Sequence, residues 1–453
     1  MDHLFGVIAS LLAIFLVLVK AARLRSAIYR YDVNSDQRYY FPESRSSRSS
    51  SQLVNGSLQI SSPAPAGAAV FLELRVRSTL LGRWFEPYIE IAGAHRRCRQ
   101  PLERACSGLR YIELSALGLA GVTSLRLACH HLEIRDQAVV LYSVRHEVDV
   151  DHEKILVIGT HPDDAELAAF GVYADRDAHV VTLTAGEAGE SGAFGRFGVM
   201  AHLEKGRNRA WNSVTVPMLG GLTIDRTANL GYFDGTLEAM REHPQTAVKS
   251  LRTDAEFLDR FGQFHQPGLV EPRRNRRATW ANLVADLEHL LRKIQPEILV
   301  APYPRLDAHP DHKMSTIALV EAIKNLDWRR GSLLLYTNHL CTSDRYPFGD
   351  AGDLVSLPPG VDDVFFDGIV SMPLDAQMQA RKHMALDAMI DLRPQVEIDS
   401  LLSIANTFGA TLRSTLSDRR VNYFSQTVRA NELFFEVSVS SLYQPGVTER
   451  IFG

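Results

Sequence analysis

The sequence predicts an α/β fold built on a mostly parallel sheet, preceded by a small all-β region and an N-terminal membrane helix. Three observations lead to this prediction: an apolar run near the N-terminus, short alternating strands up to about residue 150, and a longer alternation of buried strands and helices after it. The chain of 453 residues is also longer than one domain usually is.

Composition excludes several classes of protein. With 45% hydrophobic and 23% charged residues, the chain has enough apolar material for packed cores, which excludes wholesale disorder. A net charge of -4 lacks the basic excess of a nucleic-acid-binding protein, so we expect no nucleic-acid partner. Four cysteines are too few for a disulfide scaffold or a cysteine-rich zinc module.

The N-terminal residues 1–33 carry the apolar run, from Leu4 to Val19, which is close to the ~20 residues that a bilayer-spanning helix needs. A cleaved signal peptide is the alternative, but Met1–His3 supply no basic region. The basic residues follow the run: Lys20, Arg23, Arg25 and Arg30. By the positive-inside rule, we therefore expect a single-pass membrane protein whose catalytic domain faces the cytoplasm.

Two segments of different composition follow the apolar run. Residues 34–66 are rich in serine and predict a flexible linker. Residues 67–150 show period-two alternation in short pieces, punctuated by glycine and proline, and predict a small β-sandwich-like domain. Glycan binding, a spacer role and an interaction domain all remain open for this region.

Residues 151–453 change to a longer rhythm of strands and helices. The run at 154–159 is almost continuously apolar, as expected of a parallel strand buried on both faces, and Val180–Thr184 and Ile298–Ala301 resemble it. Apolar residues of 283–294 fall on one helical face. This pattern predicts a doubly wound, Rossmann-like, mostly parallel sheet, whose ligands lie beyond the carboxyl ends of its strands.

Two polar motifs stand at those strand ends, at 160–166 and 306–312. Helix capping by Asp163 or Asp164 is the alternative use of the first motif, but it leaves His161 unexplained. Imidazole and carboxylate ligands from two strand ends suit Zn²⁺, which in catalytic sites takes three protein ligands and leaves a position for water. A spare carboxylate and a spare histidine could then serve as base and acid.

The two motifs resemble those of the PIG-L/LmbE-like zinc-dependent de-N-acetylases, which remove acetyl from N-acetylglucosamine units or related amides. The resemblance rests on HPDDAE at 161–166 and HPDH at 309–312, and it extends over about residues 150 to 440. It implies zinc as the cofactor, with Fe²⁺ as the alternative metal. The implied ligands are His161, Asp164 and His312.

The resemblance also implies roles for five further residues. Asp163 would be the general base, His309 the acid that protonates the departing amine or stabilises the oxyanion, and Asp311 the residue that orients His309. The implied substrate-binding residues are Asp234 and Arg207.

The chain departs from the family pattern at two positions. The glutamate usual three residues after the arginine is Ala210 here, and the common His-x-Ser-Gln of a late helix is replaced at Met389. These departures concern the substrate-binding rim and leave the implied metal ligands in place.

The sequence as a whole predicts a zinc-dependent N-deacetylase at the membrane surface, acting on a nucleotide- or lipid-linked N-acetylated sugar of the N-acetylglucosamine type. The alternative is a catalytically silent glycan-binding or scaffolding protein of a polysaccharide-assembly complex. The predicted partners are the glycoconjugate substrate, the membrane through the N-terminal helix, and glycan-assembly proteins through the β-rich domain.

Overall fold

The computed structural model describes residues 28–60, 65, 67–93, 96–119, 122–261, 269–270, 276–393 and 427–453. In this part of the chain the strands form two sheets, one antiparallel and one mixed. The site motifs belong to the mixed sheet.

The antiparallel sheet holds nine strands of the described chain. They are β1 (Ser46–Val54), β2 (Ser57–Gln59), β3 (Ala69–Ser78), β4 (Tyr88–Ala92), β5 (Arg97–Pro101), β6 (Ser107–Glu113), β7 (Ser124–His130), β8 (Leu132–Ile134) and β9 (Ala138–Val144). Their order is β5-β4-β7-β2-β1-β9-β3-β6, with β8 paired to β3. Strand β1 pairs with β2 on one side and with β9 on the other. Buried residues from strands at the two ends of this order share one core, so the sheet curls around it.

Strand β3 shows how the curled sheet joins the rest of the molecule. Its residues alternate between two faces, as side chains of a strand must. Leu72 and Leu74 are buried in the core inside the curl. Phe71, on the opposite face, is buried in a second core together with Leu156 and Ile158 of the mixed sheet. At β3, the outer face of the curled sheet is therefore covered by the rest of the protein.

The mixed sheet holds seven strands of the described chain, in the order β12-β11-β10-β13-β14-β16-β15. They are β10 (Ile155–Gly159), β11 (Ala178–Thr184), β12 (Thr227–Tyr232), β13 (Ile298–Pro302), β14 (Ser332–Tyr336), β15 (Gly368–Pro373) and β16 (Asn431–Ser438). The first five strands in this order run parallel, whereas β16 and β15 pair antiparallel.

Helices cover both faces of the mixed sheet. They are α1 (Asp164–Tyr173), α2 (Ala201–Thr215), α3 (Leu237–Glu242), α4 (Trp280–Ile294), α5 (Pro310–Asn325), α6 (Ala376–Asp387) and α7 (Val447–Phe452). Apolar residues of α4 and α5 share a core with one face of β10, and those of α1 and α6 share a core with the other face. Burial on both faces explains the continuous apolar composition of β10.

The fold class predicted from the sequence is wrong for both sheets, and part of the predicted linker forms strands. The second sheet is mixed and is not the mostly parallel Rossmann-like sheet, because β16 runs antiparallel to both of its neighbours, β14 and β15. The first sheet is one large curled antiparallel sheet and not a small sandwich. Residues 46–54 and 57–59 are strands where a flexible linker is predicted. The boundaries at 33, 66 and 150 otherwise stay a prediction.

The predicted single-pass membrane localisation, with a catalytic domain facing the cytoplasm, is corrected as well. Within the described ranges, no helix combines the length and the apolar composition that a bilayer crossing requires. The segment from Leu4 to Val19, on which the prediction of a membrane helix rests, lies outside the described residues.

Glu436 of β16 connects the mixed sheet to the start of the curled sheet, and we predict that this contact stabilises the fold. Its fully buried carboxylate pairs with Arg45 at 2.9 Å, and Ser332 Oγ donates to it at 2.8 Å. Hydrogen bonds to charged groups contribute about 1.5–3 kcal/mol, so Glu436→Gln should lower the free energy of unfolding by about this amount in urea titrations.

Glu147 provides the matched control, because its carboxylate pairs with the same arginine at 2.8 Å but is 70% exposed. Glu147→Gln should cost less than about 1 kcal/mol, as exposed ion pairs do. Equal losses in the two variants would contradict the prediction.

Candidate metal and catalytic site

The parallel pairing of β10 with β13 places the two motifs side by side. Ile155 is opposite Ile298 and Val157 is opposite Val300, so both strands end at the same edge of the sheet. The first motif follows β10 and leads into α1, and the second motif follows β13 and leads into α5.

His161, Asp164 and His312 bring three donor atoms together. His161 Nδ1 lies 3.1 Å from His312 Nε2 and 3.5 Å from Asp164 Oδ2. The distance between His312 Nε2 and Asp164 Oδ2 is 3.2 Å. Zinc ligands at ~2.0–2.2 Å in a tetrahedral site stand about 3.3–3.6 Å from one another. The three atoms therefore have nearly the spacing that one tetrahedral ion requires.

The opposite ring nitrogen of each histidine faces a carboxylate. His312 Nδ1 lies 3.0 Å from Asp307 Oδ2, and His161 Nε2 lies 3.0 Å from Asp234 Oδ1. Metal-binding histidines usually have such a partner, which fixes the orientation of the ring and the nitrogen that remains free for the ion. Asn338 Nδ2 holds the other oxygen of Asp164 at 2.8 Å.

The charges around the three donor atoms stabilise a positive charge. Burial opposes protonation of His312, but the carboxylates of Asp164 and Asp307 outweigh it and raise the pKa of His312 to about 10. Burial would raise the pKa of Asp164, yet His312 and His161 hold it well below its usual value. A buried site that stabilises positive charge in this way is suited to a metal ion.

Two other groups of donor atoms overlap with this one in the described chain. Ligand atoms of His161, His309 and His312 all lie within 4.8 Å of one another, as do those of His161, Asp234 and Asp311. A histidine-rich group that could hold a metal ion is therefore present. Imidazole and carboxylate donors suit zinc and other divalent transition metals alike.

Asp163 directly precedes α1 in a backbone conformation that is rare outside glycine, with φ of 135°. Its side chain makes no capping hydrogen bond to the helix, so the capping alternative does not account for it. Instead, its carboxylate accepts a hydrogen bond from Arg209 at 3.1 Å. Burial raises the pKa of Asp163 to about 7, although Arg209 opposes this shift.

His309 caps the N-terminus of α5, and its Nδ1 accepts the backbone N–H of Asp311 at 3.2 Å. An accepting Nδ1 carries no proton, so the ring is neutral with its proton on Nε2. Burial and the positive charges of His161 and His312 lower the pKa of His309 to about 4, in agreement with this state. The ring is half-buried, in contrast to the two buried histidines beside it.

Asp311 touches His309 through its backbone rather than through its carboxylate. The carboxylate oxygens accept the backbone N–H groups of Gly235 at 2.6 Å and Leu237 at 3.2 Å. These contacts hold the loop that carries Asp234. The predicted influence of Asp311 on His309 can therefore act only through the peptide N–H and the charge of the carboxylate.

The two predicted substrate-binding residues have different positions. Asp234 lies in the site, where its Oδ2 accepts the backbone N–H of Ala188 at 3.1 Å and its Oδ1 faces His161. Arg207 pairs with Glu204 of its own helix at 2.9 Å, and among the described contacts nothing links it to the site. Their roles in substrate binding stay predictions.

Three site residues escaped the sequence analysis: Asp307, Arg209 and Asn338. A carboxylate two residues before His309 is a signal for Asp307, since ligand histidines need such partners. Arg209 is two residues from Arg207, and residues i and i+2 point to different sides of a helix. The sequence alone therefore does not indicate which of the two arginines faces the site. Asn338 carries no signal, because it follows a strand without any motif.

Comparisons with known proteins agree with the motifs. Residues 156–323 match the family described as PIG-L: GlcNAc-PI de-N-acetylase. No curated protein is detectably similar to the chain.

Two solved structures show only a distant similarity to the chain. GalB, the 4-carboxy-2-hydroxymuconate hydratase from Pseudomonas putida, is 17% identical with a TM-score of 0.32, covering 63% of this chain and 96% of its own. A family two carbohydrate esterase from Cellvibrio japonicus is 13% identical with a TM-score of 0.14, covering 65% and 90%. TM-scores this low support no argument.

We predict that Asp307 and Asp234 strengthen metal binding through the histidines they face. Asp307→Ala and Asp234→Ala should each raise the Zn²⁺ dissociation constant about 10–100-fold, as removal of such partners usually does. Competition with a chromophoric chelator measures the change. His312→Ala, which removes a donor atom, should lower the bound metal below one equivalent at concentrations that saturate the native protein.

His339 serves as the control for this prediction. Its ring lies 5.2 Å from that of His312, but it is exposed and contributes none of the three donor atoms. His339→Ala should bind Zn²⁺ with native affinity. A full equivalent of tightly bound metal in His312→Ala would show that the ligand set is wrong.

Proposed function

We propose that this chain, whose residues 156–323 belong to the PIG-L/LmbE-like family, is a metal-dependent hydrolase that removes acetyl from an N-acetylated sugar. The family is one of de-N-acetylases and hydrolases that act on sugar-related substrates. The proposed substrate is of the N-acetylglucosamine type, carried on a nucleotide or a lipid. The proposal rests on the three closely spaced donor atoms of His161, Asp164 and His312. Next to Asp164 in the sequence, Asp163 is neither one of these donors nor a helix cap.

The metal site supports amide hydrolysis by the type of its donors. His161, Asp164 and His312 would hold one divalent ion, and the position left open would admit water and the amide oxygen. Such an ion polarises a carbonyl group and lowers the pKa of water to about 7. Zinc is the metal that we propose, and the same donors accept Fe²⁺.

Asp163 is the proposed general base. It is adjacent in sequence to the ligand Asp164, its carboxylate is free of helix capping, and its pKa of about 7 allows it to accept a proton near neutral pH. As water adds to the amide carbon, Asp163 takes the proton that the water loses. When the C–N bond breaks, that proton passes to the departing amine, and acetate remains.

His309 is the proposed donor to the reacting amide. Its Nδ1 is occupied by the N–H of Asp311, which leaves Nε2–H as its donor. A hydrogen bond from Nε2 to the amide oxygen would strengthen as that oxygen gains negative charge, so it stabilises the transition state more than the substrate. Among the histidines of the site, this half-buried ring is the best placed to reach a substrate.

Acetate release tests the proposal. The purified protein, loaded with Zn²⁺ or Fe²⁺, should release acetate from at least one member of a panel of N-acetylglucosamine nucleotides and lipid-linked sugars. A chelator should stop the release. Binding of these sugars without any acetate, in protein that holds a full equivalent of metal, would favour the silent glycan-binding alternative.

We predict that Asp163→Asn separates turnover from metal binding. Because Asp163 is not one of the three donors, the variant should retain metal, yet lose about 10²–10⁴-fold in kcat, the usual contribution of a general base. Acetate release and metal content are measured on the same preparation.

Asp175 is a matched control, since it also has a positive φ, 58°, and also pairs with an arginine, Arg381. Asp175→Asn should keep native turnover. Native turnover in Asp163→Asn would remove Asp163 from the mechanism.

A further inference from the structure

Arg209 of α2 has no role in the mechanism proposed above, although its side chain is only 13% exposed. Its Nη2 donates to the carbonyl oxygen of Pro162 at 2.7 Å and to Asp163 Oδ2 at 3.1 Å. Its Nη1 lies 2.7 Å from Asp391 Oδ2. One guanidinium therefore contacts both the backbone and the side chain of the loop that carries the proposed base.

Asp391 reaches Arg209 from a different part of the chain, the helical turn Ile390–Leu392 that follows α6. Its side chain is 9% exposed. Helix α6 is fixed on α1, because the buried Lys382 donates to the carbonyl oxygen of Leu167 at 2.8 Å. Asp391 thus follows a helix, α6, that is bonded to α1, and Asp163 directly precedes α1.

The loop after β11 leaves space for this arginine. A Cβ atom at Gly186 would lie 2.6 Å from Arg209 Nε, which is closer than carbon and nitrogen can approach. Gly186 also has a positive φ of 66°, which disfavours other residues for a second reason. Arg209 can therefore occupy its observed position only because residue 186 is a glycine.

Arg209 makes its contacts from different nitrogens of one rigid group. A guanidinium can hold the peptide oxygen, the base and Asp391 at once, whereas a lysine ammonium is a single point and cannot reproduce this geometry. The contact also places a positive charge between two buried carboxylates, those of Asp163 and Asp391, that would otherwise repel each other.

We propose that Arg209, held by Asp391, is a positioning residue that fixes the Asp163 carboxylate in the orientation from which it takes the proton of water. This inference rests on the proposed function. It predicts that loss of the guanidinium lowers kcat. Metal binding and substrate binding should be unaffected, because Arg209 takes part in neither.

Steady-state kinetics of Arg209→Lys and Asp391→Asn in the full-length, metal-loaded protein test the proposal. A misplacement of about 1 Å can cost about 10²-fold in rate, so kcat should fall about 100-fold in Arg209→Lys, with a smaller fall in Asp391→Asn. KM and the Zn²⁺ dissociation constant should stay within about twofold. Guanidinium ion added to Arg209→Ala should restore part of kcat.

Arg176 is the matched control for the substitution. Its guanidinium also bridges a backbone oxygen, that of Gly171 at 2.6 Å, and a carboxylate, that of Asp151 at 2.9 Å, but away from the site. Arg176→Lys should keep native kcat. Native kcat in Arg209→Lys would overturn the proposal, and so would a rise in KM alone, which would indicate a substrate contact, or loss of metal.

A crystal structure of Arg209→Lys provides a readout that does not require activity. The Asp163 carboxylate should be rotated or disordered relative to the native protein, while His161, Asp164 and His312 keep their positions. An unchanged Asp163 would overturn the inference. Absence of acetate release by the native protein would instead refute the proposed function, and the position of Asp163 would still decide this proposal.

Discussion

The site depends on the parallel pairing of β10 with β13. Because the two strands point the same way, the residues that follow them emerge at one edge of the sheet, although His161 and His312 are 151 residues apart in the chain. Both strands are fully buried, so their backbones have little freedom to shift. A one-residue slip would exchange the faces of β13 and move the second motif away from the first.

Charge balance is the second requirement of this site. Several ionisable groups are buried within hydrogen-bond distance of one another, and isolated buried charges are costly. The costs are reduced because His161 and His312 each face carboxylates on both ring nitrogens. Asp163 and Asp391, in turn, share Arg209. Removal of any one group leaves its partner uncompensated, so these residues act as a unit, and the effects of substitutions should not be additive.

Local sequence predicted the chemical groups of the site better than the fold around them. The motifs alone predict His161 and His312 as metal ligands, because their residue types match metal chemistry at strand ends, and the structure brings the two rings together. The direction of β16 has no local signal, since an apolar buried strand reads the same in either direction. Strand β1 is rich in serine, a weak strand former, and it is a strand because seven of its residues pair with β9. Such long-range pairing overrides local preference.

The residues around the proposed base hold its backbone in an unusual conformation. An unusual backbone conformation such as that of Asp163 costs roughly 1–3 kcal/mol and persists only when its surroundings enforce it. Arg209 supplies such enforcement through the oxygen of Pro162, next to the strained residue. Backbone strain and buried charge thus meet at one carboxylate, and a single guanidinium contacts both the peptide before it and the carboxylate itself.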